Sequence, residues 1–216
     1  MQLLQNFDSF LLSKMASENL NILPYDGVAN YYQSVFTEDE SIELMKKLSK
    51  TIVWRNDESK LFGKHYITKR KVAWYGDKAF EYRYSNIKRY ALTWTNELLF
   101  IKDRLEKLTL ESFNSCLLNF YHDGSEGMGW HSDNEPTLQK NATIASLSLG
   151  ANRRFCFKHK NTNEKHEVNL DNGSIMLMKG EIQSNWLHQL PRMLKIKNPR
   201  INLTFRTFKD FKKNEN

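Results

Sequence analysis

Cysteine is scarce in this chain of 216 residues: only Cys116 and Cys156 are present. Both are flanked by apolar residues of the kind found in strands, so we expect two buried free thiols and no disulfide. Such use of cysteine is typical of a reducing compartment. Neither cysteine has a second one at metal-binding spacing, which disfavours a zinc site.

Long apolar runs are absent as well. No stretch of the sequence approaches the ~20 residues that a membrane-spanning helix requires. The N-terminus has no basic leader and carries Asp8 inside its apolar stretch, so a signal peptide is not expected. We therefore expect no membrane partner, and a cytoplasmic location in a bacterium or a nuclear one in a eukaryote.

Repeats, low-complexity tracts and domain linkers are also missing from the sequence. The length suits one domain over residues 1–216, with enough chain for a sizeable core. A content of 40% hydrophobic and 12% aromatic residues is that of a globular protein. Residues 1–24 are polar and without periodicity, and are expected to form a loosely held arm.

Positive charge is in excess, since 32 Lys and Arg stand against 25 Asp and Glu, a net charge of +7. Cations bind phosphates and aromatic rings stack on bases, so basic clusters interleaved with aromatics favour a nucleic acid over a membrane surface. The alternative is a solvated basic face beside core aromatics. The clusters are Lys64, Lys69 to Lys71, Arg153 and Arg154, Lys158 to Lys160, and Arg192 to Lys197.

Two helices and a series of short strands are predicted. Thr37 and Glu40 have the spacing of a capping box before an apolar stripe, and a second helix is expected over residues 96–108. From residue 113 onward, short apolar runs separated by glycines indicate a β-sandwich or jelly roll with flanking helices. The predicted strands cover residues 115–121, 142–149, 155–159, 167–170, 173–178, 186–190 and 200–208.

The most specific pattern is a His-x-Asp pair, His131 and Asp133, with a distant His188. This is the spacing of a facial triad that holds non-haem Fe(II) and leaves positions open for oxygen and a co-substrate. Residues two apart in an extended segment share a face, so the second histidine must come from a neighbouring strand. A surface histidine and a solvated carboxylate are the alternative. The remaining histidines are expected to be exposed and not ligands: His65, His122, His159 and His166.

The last predicted strand carries two arginines on one polar face. Arg200, Asn202, Thr204 and Arg206 alternate with apolar residues, as in a half-buried strand. The polar face could simply meet water. Two guanidinium groups and a hydroxyl on one face would alternatively form a receptor for a dicarboxylate, because guanidinium grips carboxylate in a bidentate manner.

With these motifs the chain resembles the AlkB family of Fe(II)- and 2-oxoglutarate-dependent dealkylases, and most of all its branch that repairs double-stranded DNA. The resemblance covers roughly residues 22–208. The stretches that carry it are 118–121 (LNFY), 128–136 (MGWHSDNEP), 144–150 (IASLSLG), 186–191 (WLHQLP) and 199–206 (PRINLTFR), with 62–64 (FGK) and 73–77 (AWYGD) upstream.

The resemblance implies a double-stranded β-helix core over about 113–208 and a nucleotide-recognition lid over about 55–95. It assigns Fe(II) to His131, Asp133 and His188, with 2-oxoglutarate and O2 as co-substrates and ascorbate as a stimulant. Arg206 is expected on the distal carboxylate and Arg200 on the metal side. The 2-oxoglutarate positions that the resemblance assigns are Asn119, Tyr121, Arg200, Thr204 and Arg206.

The implied activity is oxidative demethylation of 1-methyladenine and 3-methylcytosine in DNA, with release of formaldehyde. Tyr82, Tyr84 and His131 match positions that stack on a flipped base, and Phe62 matches a wedge in the vacated stack. Phe62 could equally be ordinary packing of the lid. The substrate-binding positions implied are Phe62, Gly63, Lys64, Tyr82, Arg83, Tyr84, Asn134 and Glu135.

Two residues depart from the pattern of the family. Asn134 stands where many relatives have an acid that accepts from the exocyclic amine of the base, which puts the preference for cationic bases in doubt. Lys69 stands where proline usually precedes Arg70, and this is expected to loosen the lid.

Alkylated DNA is therefore the expected partner of a monomeric enzyme, duplex before single strand. An RNA or tRNA demethylase or hydroxylase on the same scaffold remains the alternative, because the triad does not distinguish the polymer. A protein hydroxylase would leave the basic, aromatic lid unexplained. From another class, a catalytically silent nucleic-acid-binding module would not need intact iron ligands and both arginines.

Overall fold

Antiparallel strands that alternate polar and apolar side chains make up most of the computed structural model. It describes residues 20–61, 64–84 and 87–209. The strands in these ranges are β1 (Val28–Tyr32), β2 (Arg55–Leu61), β3 (Lys64–Gly76), β4 (Glu81–Tyr84), β5 (Ile87–Tyr90), β6 (Leu92–Thr93), β7 (Ser115–Tyr121), β8 (Met128–His131), β9 (Ile144–Gly150), β10 (Arg153–His159), β11 (Lys165–Leu170), β12 (Ser174–Lys179), β13 (Trp186–Leu190) and β14 (Arg200–Arg206).

Three helices accompany these strands in the same ranges: α1 (Glu38–Thr51), α2 (Asn96–Thr109) and the short α3 (Ile182–Asn185). The predicted capping box begins α1, since Glu40 N donates to Thr37 Oγ1 over 3.2 Å and Thr37 N donates to Glu40 Oε2 over 2.9 Å. Thr95 caps α2, which ends at Leu110 with a left-handed φ of 57°. No helix in the part of the chain described here is long and apolar enough to cross a membrane.

Two sheets form the body of the fold. The larger sheet has the strand order β1-β12-β9-β14-β7-β3-β2, with β6 beside β3, and the smaller one has the order β11-β10-β13-β8. A separate hairpin pairs β4 with β5. This is the predicted, mostly β architecture with flanking helices, in which the two facing sheets form a jelly roll.

The larger sheet separates two different environments. From β14, Ile201, Leu203 and Phe205 pack with the apolar faces of α1 and α2 in the main core. The alternating residues of β14 face the smaller sheet across a cavity. Because side chains alternate between the faces of a strand, the same pattern that builds the core delivers a polar face to the cavity.

Strand boundaries differ from the prediction by a few residues at most of the predicted strands, whereas Ser115–Tyr121 and Trp186–Leu190 agree. The prediction misses the short strands β1 and β8 and the strands β2 to β6, which lie between residues 55 and 93. Residues 20–24 are also less loosely held than expected. Asn21 Oδ1 accepts from the backbone N of Leu23 and of Ala29, and Leu23 is buried beside β1. Residues 1–19 of the expected arm lie outside the described ranges.

Candidate active site

The two predicted histidine ligands lie side by side on neighbouring strands of the smaller sheet. His188 in the middle of β13 is the register partner of His131 at the end of β8, and their ring centroids are 4.3 Å apart. Asp133 follows two residues after His131 and is buried. One ligand atom from each of the three residues lies within 4.8 Å of the others. The expectation that the second histidine comes from a neighbouring strand is met.

The two imidazoles are prepared to act as neutral ligands. His131 Nδ1 donates to the Gly129 carbonyl over 2.8 Å, which leaves the Nε2 lone pair free. His188 Nδ1 is buried without a hydrogen-bond partner in the described part of the chain. Burial lowers the pKa of His188 to about 3, so its ring is uncharged at neutral pH. Two imidazole nitrogens and one carboxylate on a common side fit the donor set that Fe(II) prefers.

Asp133 is held from two directions. Arg206 Nη2 donates to its Oδ2 over 2.8 Å, and its backbone N donates to Gln183 Oε1 over 2.8 Å. Burial raises the pKa of the Asp133 carboxyl, but opposing interactions, of which the charge of the Arg206 guanidinium is the largest, lower it by more. The pKa consequently lies below its ordinary value and the group stays ionised.

One of the other histidines differs from expectation. His159 is buried, not exposed: its ring packs 4.9 Å from that of Trp186, and Asp26 Oδ2 lies 3.2 Å from its Nε2. His159 is buried because it lies on the inward face of β10. The lysines on either side of it in the sequence had suggested an exposed position. His65 and His122 are exposed, while His166 is half-buried beside Glu164. Among the described residues, no second group of His, Cys, Asp or Glu has the geometry of a metal site.

A cavity of about 570 Å³ lies between the sheets and is lined by the triad and by all five predicted co-substrate residues. Register alignment explains how they meet. Asn202 of β14 pairs with Asn119 of β7, and Arg200 pairs with Tyr121. Each pair projects its side chains to the same side of the sheet, because directly opposed residues in antiparallel strands share a face.

The far end of this cavity contains a buried cation. Arg200 is only 2% exposed, and its Nη2 donates to Ser148 Oγ over 2.8 Å. Its Nε has no partner in the described ranges, and no carboxylate there forms an ion pair with it. Three guanidinium groups surround the Tyr121 ring, with Arg70, Arg153 and Arg200 at 5.9, 5.7 and 5.6 Å from its centroid. Burial lowers the pKa of Arg200 to about 10, which still leaves it charged.

The two arginines lie at different ends of the cavity floor. Arg206 pairs with the carboxylate of Asp133, so it lies at the metal end. Arg200 lies at the opposite end of β14, near Tyr121 and Ser148. This placement favours the reverse of the expected division of labour. The sequence places both on one face but gives no indication of which one meets Asp133.

Asn119 and Thr204 occupy the middle of the cavity floor. Asn119 is 5% exposed, and its Oδ1 has no partner in the ranges described. Thr204 Oγ1 donates to Asn202 Oδ1 over 3.1 Å. A buried amide oxygen without a partner carries a desolvation cost, so this floor has unused capacity for a polar ligand.

The structure describes only some of the predicted substrate residues. Phe62 and Gly63 lie outside the described ranges; Lys64 is exposed at the start of β3. Tyr82, Arg83 and Tyr84 form β4. Asn134 is exposed on a smaller cavity of about 150 Å³, whereas its neighbour Glu135 lines the main cavity. Glu135 is thus a carboxylate on the wall of the cavity that also contains the triad.

Lys69 lies in an irregular part of β3. The register between β2 and β3 shifts between Asn56 and Glu58, and this bulge brings Arg70 against Asp57 in a buried ion pair. Arg70 Nη1 also contacts Met128 Sδ at 3.3 Å. Bulges re-aim side chains next to active sites, and here the bulge turns Arg70 from the lid hairpin into the cavity.

Several supporting residues escaped sequence reasoning. Ser146 and Ser148 of β9 face β14, and Lys160 Nζ donates to the Gln183 carbonyl over 2.8 Å. Arg153 is 1% exposed and its Nη2 donates to the carbonyls of Glu126 and Pro191. The two serines of β9 lie two positions apart, and this alternation could have indicated a polar face. Gln183 and Arg153 give no such indication, because their partners are backbone atoms distant in sequence.

Comparison with known proteins agrees with this geometry. Residues 28–206 match the model of the 2OG-Fe(II) oxygenase superfamily. The chain is 33% identical over 192 residues to the DNA oxidative demethylase ALKBH2 of Bos taurus, covering 84% of this chain and 69% of the relative. This chain belongs to the AlkB family. It is accordingly a 2-oxoglutarate-dependent dioxygenase that uses Fe(II) and O2.

Further relatives lie in the same family. The chain is 36% identical over 174 residues to the alpha-ketoglutarate-dependent dioxygenase alkB homolog 3 of Mus musculus. This alignment covers 76% of this chain and 60% of the mouse protein. Among solved structures, OsALKBH1 aligns with a TM-score of 0.60 at 16% identity, over 83% of this chain and 96% of the other. An oxidoreductase of the 2OG-Fe(II) oxygenase family from Burkholderia pseudomallei aligns with a TM-score of 0.54 at 10% identity, over 92% and 89%. These structural likenesses support the jelly-roll fold.

Proposed function

We propose that this dioxygenase oxidatively demethylates N-alkylated bases in DNA, with 1-methyladenine and 3-methylcytosine as substrates and formaldehyde as a product. The observation that carries the proposal is the cavity of about 570 Å³, whose wall contains the triad, a set of polar residues from β7 and β14, and aromatic residues such as Trp74 and Phe208. The names of the related DNA oxidative demethylases support the same reaction.

In this proposal His131, Asp133 and His188 hold Fe(II), and the floor of the cavity holds 2-oxoglutarate. Arg200 takes the distal carboxylate, because among the described residues that line the cavity it is a buried cation without an acidic partner. Asn119 and Tyr121 supply further hydrogen bonds. Iron and 2-oxoglutarate together supply the oxidising chemistry, with O2 as the oxidant. The protein binds, orients and shields the reactants.

The mouth of the cavity suits a planar base. Trp74, Leu138 and Phe208 line its apolar side, and the rings of Trp74 and Phe208 are 5.2 Å apart. Glu135 offers a carboxylate oxygen for an exocyclic amine and a negative charge for a cationic methylated base. With Glu135 in this role, the neutral Asn134 no longer argues against cationic lesions.

A base inside a duplex cannot reach this cavity, because the methyl group points into the paired stack. The target base must therefore leave the helix, at a cost of a few kcal/mol that is smallest for a damaged or single-stranded base. The basic loop from Arg192 to Lys197 is exposed at several positions and supplies phosphate contacts. We favour DNA, duplex or single-stranded, over RNA on the names of the relatives.

The test is formaldehyde release from three matched oligonucleotides that carry one 1-methyladenine: duplex DNA, single-stranded DNA and RNA. We expect the highest kcat/KM on DNA, and dependence on both Fe(II) and 2-oxoglutarate. Higher kcat/KM on RNA would replace the DNA assignment by an RNA demethylase. Succinate release without formaldehyde from any of the three would overturn demethylation while leaving the dioxygenase class intact.

A further inference from the structure

A second buried cation lies behind the far end of the cavity. Arg153, the first residue of β10, is 1% exposed and does not line the cavity. Its hydrogen-bond partners in the described ranges are three backbone carbonyls. Burying a charge costs free energy, and hydrogen bonds offset that cost. These three bonds therefore indicate what Arg153 does in the fold.

The three carbonyls belong to two different loops. Arg153 Nη2 donates to Glu126 O over 2.7 Å and to Pro191 O over 2.9 Å. Its Nη1 donates to Asp123 O over 3.4 Å. Asp123 and Glu126 lie in the loop between β7 and β8, whereas Pro191 begins the loop between β13 and β14. One planar guanidinium with its fork of donors thus ties the two loops together.

The same two loops are packed backbone against backbone at Gly124. Gly124 N donates to Ile196 O over 2.9 Å, and Met193 N donates to Gly124 O over 2.7 Å. A Cβ atom at Gly124 would lie 2.0 Å from Met193 O, which is too close for any side chain. The junction of the two loops therefore requires glycine at this position.

Each of these loops is joined directly to a residue at the far end of the cavity. Tyr121, the last residue of β7, precedes the first loop, and Arg200, the first residue of β14, follows the second. The two residues are register partners, and strand pairing between β7 and β14 stops at them. The Arg153 guanidinium also lies 5.7 Å from the centroid of the Tyr121 ring. The way the loops are tied consequently decides how this end of the floor is held.

We propose that Arg153 is a positioning residue for the co-substrate: by tying the two loops it holds Tyr121 and Arg200 at the spacing that binds the distal carboxylate of 2-oxoglutarate. The inference rests on the proposed function, in which Arg200 takes that carboxylate. The metal end is held separately, because Asp133 is bound by Arg206 and Gln183. A change at the loop junction should therefore affect the distal carboxylate and leave the metal end alone.

The test compares two ligands that differ only at the distal end. Pyruvate has the same 2-oxo acid group as 2-oxoglutarate but lacks the distal carboxylate. Dissociation constants of both are measured by calorimetry, without oxygen, on protein loaded with Mn(II) in place of Fe(II). The variants are Arg153→Met, Gly124→Ala, Arg200→Met and Arg154→Met. Arg154 is the exposed neighbour of Arg153 in β10 and serves as the matched control.

Arg153→Met should raise the dissociation constant of 2-oxoglutarate by about tenfold, the lower end of the effect of outer-shell partners, and should leave that of pyruvate unchanged. Gly124→Ala keeps the charge but forces the loops apart, so it should give the same selective loss. Arg200→Met removes the direct contact and should have a larger effect, about 30-fold or more. Arg154→Met should bind both ligands as the unaltered protein does.

The outcomes separate this inference from the proposed function. If Arg200→Met binds 2-oxoglutarate as tightly as the unaltered protein, the distal site of the proposed function is wrong. If Arg200→Met loses affinity and Arg153→Met does not, only the inference is overturned. It is also overturned if Arg153→Met loses affinity for both ligands equally, because Arg153 then supports the fold as a whole.

Gly124→Ala distinguishes the position of the loops from the charge of Arg153. If it binds 2-oxoglutarate normally while Arg153→Met does not, the charge and not the junction is responsible, and positioning is overturned. If Arg153→Met does not fold, Gly124→Ala decides the matter by itself. A selective loss of 2-oxoglutarate affinity in that variant supports the inference, and unchanged affinity overturns it.

Discussion

Two arginines of β14 lie on the same face of one strand but in opposite electrostatic surroundings. Arg206 is bound to Asp133, so the charge at the metal end of the cavity is balanced within the protein. Arg200 at the far end has a serine hydroxyl and an aromatic ring as neighbours, and is almost fully buried. An unpaired buried cation costs free energy until an anion arrives. The metal end is therefore preformed, and in the proposed function the co-substrate completes the far end.

The largest effect is expected when the carboxylate at the metal end is removed. Asp133→Ala should lower kcat/KM for demethylation by more than about 100-fold, because loss of a ligand exceeds the 10–100-fold effect of outer-shell partners. Iron content after anaerobic dialysis measures the cause directly, and oligonucleotide affinity should persist. Asn134→Ala, at the exposed neighbouring position, should retain iron and activity. Full activity of iron-reloaded Asp133→Ala would falsify the triad assignment.

Removing the cation at the far end should affect the co-substrate and leave the metal alone. Arg200→Met should raise KM for 2-oxoglutarate by about 30-fold or more, which corresponds to the ~2–5 kcal/mol lost when one partner of a buried charge pair is truncated. Iron affinity should be unchanged. The exposed Arg154→Met is the matched control. An unchanged KM for 2-oxoglutarate would mean that Arg200 does not bind the distal carboxylate, and the proposed difference between the two ends of the cavity would be wrong.

The same variant makes a second, opposite prediction about stability. Without 2-oxoglutarate, Arg200→Met should unfold at a temperature no lower than the unaltered protein, because an uncompensated buried charge has been replaced by an apolar side chain. Added 2-oxoglutarate should stabilise the unaltered protein by linkage and the variant much less. Thermal unfolding of the iron-loaded proteins measures both effects. A large destabilisation of the co-substrate-free variant would mean that the charge is already compensated.

A smaller effect is expected from the support of the metal end. Gln183→Leu removes the oxygen that accepts from the backbone N of Asp133, so iron affinity should fall about 10-fold, within the range of outer-shell partners. KM for 2-oxoglutarate at saturating iron should not change. Ser184→Ala, on the exposed side of the same helix, is the control. A loss confined to 2-oxoglutarate would place Gln183 functionally at the other end.

The smallest predicted effect concerns the hydrogen bond to Arg200 at the far end of the cavity. Ser148→Ala removes the hydroxyl that accepts from Arg200 Nη2 over 2.8 Å. A hydrogen bond to a charged group is worth about 1.5–3 kcal/mol in such sites, but bound 2-oxoglutarate would restore part of the loss. We expect KM for 2-oxoglutarate to change by no more than about fivefold, in the same direction as for Arg200→Met. A change in iron affinity would contradict the separation of the two ends.

Much of the site could be predicted because it depends on local periodicity and spacing in the sequence. The alternation in β14 and the spacing of His131 and Asp133 each depend on one extended segment, and strand geometry turns them into a shared face. The capping box of α1 is equally local. These features need no knowledge of what packs against them, and the structure agrees with each.

What failed depends on contacts between distant segments. The sequence does not show which arginine of β14 meets Asp133, 73 residues away along the chain. The burial of His159 follows from its packing on Trp186. Residue type and spacing are the same whichever way such contacts form, so the sequence does not distinguish them.

The pairing of strands has a consequence for the order of folding. β1 pairs with β12, with Val28 opposite Lys179, and β7 pairs with β14. Topologies dominated by such non-local pairing fold slowly, because large loops must close before their contacts form. His131 and His188 meet only when β8 joins β13. A nascent chain that lacks β13 therefore does not yet present a triad to the metal.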